Sequence, residues 1–275
     1  MVINITILVV GLNRSLSYTA PSIVRRVQKP LEKSFLFSVR TNLAFIVPRG
    51  PVINHRSGEH GDVEINLPQS LSATNIWNLD EEDLQGETME TLEKVRDFPD
   101  WGDDNGRAVR NALTYMAALK VAYRKCLGST DQYILVRPDL AIEGRLWLKT
   151  RLFANHFLRI FGAQVIVLPS WGKFGGLNDR FAIVPDKFAV DYFERDTGLS
   201  SWIQGSKGLP AELFLLDALR AARHVSTIAT PMFRIRLGGV VESRDIAMFR
   251  RATWIRQLDS IGAGIGAALR RLFRQ

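Results

Sequence analysis

The chain opens on an apolar, β-branched run, residues 3–10, that closes at Gly11. A short apolar run ended by a turn residue predicts a buried strand. Pro21 then begins a helical stretch to residue 33, with Ile23, Val24 and Val27 on one face and a break expected at Pro30. Strands are expected at 35–39 and 43–47. Residues 48–78, rich in Pro, Gly, Asn and Ser, read as loop with short extended pieces. The acidic stretch 80–104 reads as helical in part before the turn-rich PDWGDDNG. Between 107 and 127, Val109, Leu113, Met116, Leu119, Tyr123 and Leu127 recur at helical spacing, and Gly128 stops the helix. Beyond it the pattern predicts strands at 132–136, 164–168, 181–184, 225–228 and 233–237. Helices are expected at 146–161, 186–195 and 210–223.

Strands alternating with helices predict an α/β sandwich with a mainly parallel sheet flanked by helices. In such sheets ligands sit beyond the carboxyl ends of the strands. That rule points to three loops: 11–15, 137–143 and 169–180. One globular unit is expected over 1–243, followed by a basic amphipathic tail, 244–275.

Composition narrows the function classes. A chain of 275 residues, 46% apolar and 23% charged, can bury a real core. The net charge of +8 is unevenly placed: 244–275 holds seven arginines against Asp245 and Asp259, whereas 80–104 is strongly acidic. A nucleic-acid binder would spread its cations along one stripe with aromatics between them, so no nucleic-acid partner is expected. The single cysteine, Cys126, reads as a small buried hydrophobe and implies no oxidising compartment. The opening run lacks a basic start and reads as a strand, not a signal peptide. No run approaches the ~18 apolar residues of a membrane span, and the expected location is the cytoplasm. In the tail, Trp254, Leu258, Ile261, Ile265, Leu269 and Leu272 share one helical face, with Arg256, Arg270, Arg271 and Arg274 opposite. Residues 246–274 are therefore expected to dock on an anionic membrane surface as a peripheral element, although Gly262, Gly264 and Gly266 oppose the helix.

Familiar templates are missing. GAGIGA (262–267) follows no strand, no P-loop occurs, and no G-x-S-x-G elbow occurs. His55, His60, His156 and His224 show no zinc spacing.

The three loops carry the unusual chemistry. In GLNRS (11–15) a glycine permits a tight turn and Arg14 can fork onto a phosphate. The strand YILV ends in Arg137-Pro138-Asp139, where an aspartate either coordinates a divalent cation or caps a turn. Residues 170–182, SWGKFGGLNDRFA, interleave aromatics and glycines before three hydrogen-bonding side chains, as a sugar-contacting loop would.

GLNRS (11–15), NHRSGE (54–59), Asn111, RPDL (137–140), GGLNDRFA (175–182), Glu212 and RIRLGG (234–239) together resemble a group of GT-A-type glycosyltransferases of bacterial and viral glycan loci. The resemblance spans about residues 3–240. It implies a GT-A-like, Rossmann-like sandwich that moves a sugar from a nucleoside-diphosphate donor to a hydroxyl acceptor, a glycan or a lipid-linked acceptor, in surface polysaccharide biosynthesis. Gly11, Asn13, Arg14, Arg56, Asn111, Arg137, Asp139, Asn178 and Arg180 would bind the donor. Asp139 would occupy the metal-binding place for Mn2+ or Mg2+. Asp179 is the first choice of base, because of its loop, and Glu212 the second. One departure matters: Arg137 stands where the first aspartate of D-x-D is usual, and can itself neutralise a diphosphate. A nucleotidyltransferase acting on sugar phosphates and a catalytically inactive glycan-binding scaffold remain as alternatives.

Overall fold

A computed structural model describes residues 2–48, 52–54, 59–61, 68–86, 107–174, 176–199, 201–202, 211–219 and 225–253. In chain order the elements are β1 (Ile3–Leu12), α1 (Leu16–Ile23), a π-helical turn (Val24–Gln28), α2 (Lys29–Glu32), β2 (Phe37–Val47), β3 (Val52–Asn54), β4 (Glu59–Gly61), β5 (Asn75–Asp80) and α3 (Glu81–Gly86). There follow α4 (Arg107–Lys125), β6 (Gln132–Val136), β7 (Leu140–Ile142), α5 (Leu148–Leu158), β8 (Ile166–Pro169), β9 (Phe181–Pro185), α6 (Ala189–Phe193), α7 (Ala211–Ala218), β10 (Val225–Ile228) and β11 (Met232–Arg234). Residues 243–253 form α8.

The expected mixed α/β architecture is present. Seven strands make one sheet in the order β10-β8-β9-β6-β1-β2-β5, parallel throughout except for β9, which runs antiparallel to both neighbours. Its central strands are buried on both faces and therefore read as nearly continuous apolar runs. Alternate residues serve different layers. Ile3, Ile5, Ile7 and Val9 meet α1, α5 and α8 through Leu16, Ile23, Leu152 and Phe249. Leu8, Val10, Tyr133 and Leu135 meet α4, α6 and α7 through Ala118, Tyr192 and Leu215. No helix among the described residues is long and apolar enough to cross a membrane.

Three expectations need correction. The first helical stretch starts at Leu16, ahead of Pro21, and continues through Pro30 to Glu32. Pro21 lies inside α1, followed at once by the π-helical turn, and Pro30 falls in the first turn of α2, where a missing N–H costs little. The strands expected at 35–39 and 43–47 are a single strand, β2. In its polar middle the buried Asn42 is satisfied: its Nδ2 donates to Cys126 Sγ (3.1 Å), and Asn75 Nδ2 donates to its Oδ1 (2.9 Å). Cys126 is free and buried, and that burial pushes its thiol up to about 11. Finally, β5, at the end of the stretch read as loop with short extended pieces, is a six-residue strand of the main sheet that pairs in parallel with β2. It is the largely exposed edge strand and carries little apolar signal.

Candidate functional site

The carboxyl ends of β1, β6 and β8 meet at one edge of the sheet, as their parallel and antiparallel registers require. Gly11 has φ +140°, and a Cβ there would lie 3.1 Å from Pro138 Cδ. The glycine thus lets the loop after β1 lie against the loop after β6. Ser15 Oγ donates to the Ile235 carbonyl at 2.7 Å, and the Thr19 hydroxyl donates to the Pro138 carbonyl. These bonds hold the buried side chain of Arg14 over Asp139, with Arg14 Nη2 donating to Asp139 Oδ2 at 2.5 Å. Arg137 grips the same carboxylate from the other side, Nε to Oδ1 and Nη2 to Oδ2, both 2.9 Å. Burial alone would raise the Asp139 pKa, but Arg137 and Arg14 outweigh it and hold the carboxyl far below the usual range. The Arg137 guanidinium also lies 5.3 Å from the ring centre of Tyr115, on α4.

A second arginine group faces the first. β11 pairs antiparallel with β7 and sets Arg234 opposite Leu140. From α8, the fully buried Asp245 accepts from Arg234 Nη2 at 2.9 Å and from Arg180 Nη1 at 3.1 Å. Beside it, Arg236 is paired with Glu242. Burial, then repulsion from Arg234, pushes Arg180 down to about 10. Arg180 also lies over the Trp171 ring at 5.3 Å.

Loop 169–180, expected to contact a sugar, divides its aromatics between the core and the surface. Trp171 is buried in the core, and Asn178 pins the loop from inside. Its Nδ2 donates to the Trp171 carbonyl (2.7 Å), and its Oδ1 accepts from the Arg180 N–H (3.0 Å). The exposed aromatic of the loop is Phe174, held at φ +43°. That conformation is uncommon for a bulky residue.

Glu212 sits in the first turn of α7. Burial raises its pKa, and Arg180 and Arg234 act on it only through space. The loop presses against it closely: Leu177 N–H donates to the Glu212 carbonyl (2.9 Å), and a Cβ on Gly176 would come within 1.9 Å of that oxygen. A substitution at 176 must therefore displace Glu212. Gly176→Ala is expected to lower turnover about 100-fold, the scale of a misplacement of ~1 Å, while sparing the affinity of the Arg14–Arg137 end. Steady-state turnover beside a binding isotherm checks this; unchanged turnover would show that Glu212 need not stand where it does.

A cavity of about 940 Å³ opens between these groups. Of the residues anticipated from sequence, Gly11, Arg14, Asn111, Arg137, Arg180 and Glu212 line it. Asp139 lies behind its two arginines, and Asn178 inside its loop. Asp179 bonds Arg195 (Oδ2 to Nη2, 3.0 Å) and does not line the cavity. Arg56 lies outside the described residues. Tyr115, Arg234 and Arg236 line the cavity without having been anticipated as site residues, and Phe174 lines it from the loop expected to contact a sugar. Tyr115 follows Asn111 by four residues, one helical turn along the same face, which is a signal the sequence did contain.

The residues do not fit a divalent cation at Asp139. Both carboxylate oxygens already accept from guanidinium groups, and a third positive charge would enter between two fixed ones. Among the described residues no three His, Cys, Asp or Glu converge on a point. The metal-binding place implied for Asp139 is thus filled by a pair of arginines.

No protein-family model matches the chain, and no curated protein does either. Among solved structures it is similar to mouse xyloside xylosyltransferase 1 in its apo form, at 10% identity over 83% of this chain and 85% of that one, TM-score 0.45. It is also similar to the galactosyltransferase LgtC in complex with donor and acceptor sugar analogues, at 13% identity over 82% and 73%, TM-score 0.42. An active-site mutant of LgtC aligns at 12% identity over 82% and 72%, TM-score 0.44.

Proposed function

We propose that the protein is a glycosyltransferase that moves a sugar from a nucleoside-diphosphate donor to a hydroxyl acceptor without a metal ion at Asp139. The observation that carries this reading is the polarity of the cavity. Arg14 and Arg137, locked on a buried carboxylate, line one part of it, and Glu212, a carboxyl with no ion pair among the described residues, lines another. Fixed cations suit a leaving diphosphate, and an unpaired carboxylate suits the acceptor hydroxyl. In the transfer the acceptor oxygen gives its proton to Glu212 and bonds to the anomeric carbon. The bond from that carbon to the diphosphate breaks, and its electron pair leaves on the diphosphate, where Arg14 and Arg137 meet the developing charge.

Asp179 is the weaker candidate base, because its carboxylate is engaged by the buried Arg195. Incubation with a panel of sugar nucleotides, with manganese or with chelator, tests the proposal. One donor should be hydrolysed slowly, at rates within about twofold of each other in the two conditions, since a lost metal would cost at least the ~100-fold of a transition-state charge contact. Activity restored only by manganese would overturn the arginine reading. Release of pyrophosphate from a nucleoside triphosphate would favour a nucleotidyltransferase. Inactivity towards every donor would favour a glycan-binding scaffold. The acceptor class and a role in surface polysaccharide synthesis rest on the sequence resemblance.

A further inference from the structure

The outward face of α5 is the least ordinary surface among the described residues. Leu148, Leu152 and Asn155 face inward, and the 3-10 turn Arg159–Phe161 prolongs the helix. The other side carries Phe153, Phe157 and Phe161, four residues apart and hence in one column. Trp147 precedes them and Ile160 adjoins them. These five are 46%, 54%, 69%, 63% and 75% exposed, and the Phe157 and Phe161 rings lie 5.7 Å apart. Scattered apolar side chains are normal on a surface, but a contiguous aromatic column is not.

The charges on the helix itself have one sign, and among the described residues acids approach it only at its far end, where Asp131 and Asp186 lie near Arg159. No Asp or Glu occurs between Glu143 and Asp179, whereas Arg145, Lys149, Arg151 and Arg159 flank the helix. Arg145 lies 6.0 Å from the ring centre of Trp147, and Lys187 donates to the Gly162 carbonyl at the far end (2.8 Å). Among the described residues, Arg159 alone of the four is paired with an acid, Asp131 at 2.9 Å.

We propose that this face lies on an anionic phospholipid membrane, its aromatic column in the boundary between headgroups and acyl chains and its cations on lipid phosphates. Aromatics at that depth with arginine and lysine beside them are what an interfacial helix presents. A second copy of the chain is a poorer occupant, since a two-fold contact would set the same cations against each other. None of these residues lines the cavity, so it stays open when the helix is bound. The inference does not depend on the transferase reading, and it places the contact on α5 instead of on 246–274.

Full-length protein is sedimented with phosphatidylcholine vesicles with and without phosphatidylserine, at low and high salt. The wild type should pellet with the anionic vesicles and be released as salt screens the charges. The triple variant Phe153→Ser, Phe157→Ser, Phe161→Ser should partition at least about tenfold more weakly, from the loss of buried aromatic area. Arg145→Glu with Lys149→Glu should lose only the part of binding that needs phosphatidylserine. All five positions are exposed, and the thermal midpoint checks that each variant is folded; the charge pair serves if the aromatic variant is not. Wild type that ignores both vesicles, or variants that bind as it does, would overturn the proposal. So would a soluble dimer that the aromatic variant dissociates, with no vesicle binding by either protein.

Discussion

Replacing Glu212 with glutamine is expected to cut sugar transfer by about 10²- to 10⁴-fold, the usual contribution of a positioned general base. Donor binding should survive, because Arg14 and Arg137 are untouched. The pH profile carries the same signature. Burial raises the Glu212 pKa above its ordinary 4.5, so the acid limb of wild-type transfer should fall at a pH above that value. Stability should move the other way. Between the unfolded value and the raised folded one, the folded chain holds a proton that the unfolded chain has lost, so stability drains as pH rises through that window. Glutamine has no charge to bury, and Glu212→Gln should therefore match or exceed the wild type in thermal midpoint near neutral pH. A folded variant that transfers at the wild-type rate would remove Glu212 from the chemistry. Asp179→Asn measured beside it would show whether that carboxylate takes over the base role.

The second large effect is expected at Asp139. Asp139→Asn leaves Arg14 and Arg137 facing a neutral amide in a buried setting, and breaking one side of a buried ion cluster costs about 3–5 kcal/mol. The depressed carboxyl supplies stability that is fully present above the unfolded aspartate value of ~3.9 and is lost as pH falls below it. The gap between wild type and variant should accordingly narrow on acidification, which denaturant titrations at two pH values would reveal. Turnover per folded molecule should fall at least ~100-fold as well, because the two guanidinium groups lose the anchor that aims them. Loss of stability with full turnover would show that the arginines act without Asp139. Loss of turnover with full stability would show that the trio is not a buried structural unit.

Much of the sheet could be read from the sequence because its central strands are buried on both faces and so form unbroken apolar runs. β6 and β10 fall where the pattern places them. β5 does not announce itself, since an edge strand with most side chains in water needs no apolar alternation. β2 is split by Arg40-Thr41-Asn42, and the partners Asn75 and Cys126, distant in the chain, explain how Asn42 stays buried in a strand. The site divides in the same way. Rules about strand ends found the loops of Arg14, Arg137 and Arg180. Local rules could not find that Asp139 is saturated by guanidinium groups, since Arg14 arrives from the loop after β1, 125 residues away in the chain. Nor could they find that Asp245, read as part of a tail, closes the far wall.

That position of Asp245 bears on how the chain is synthesised. The loop after β1 is made first, but the carboxylate that reconciles Arg180 with Arg234 emerges only when α8 does. A nascent chain short of residue 245 would bury Arg180 without the carboxylate that pairs with it and leave Arg234 only the more distant Glu242, at 4.0 Å, a state that costs several kcal/mol. Strands β1, β2, β5 and β6 can pair early on the ribosome, yet this wall of the cavity cannot close until residue 245 is out. Products of premature termination upstream of 245 should consequently be open on that side and be cleared by proteolysis in preference to the full-length protein.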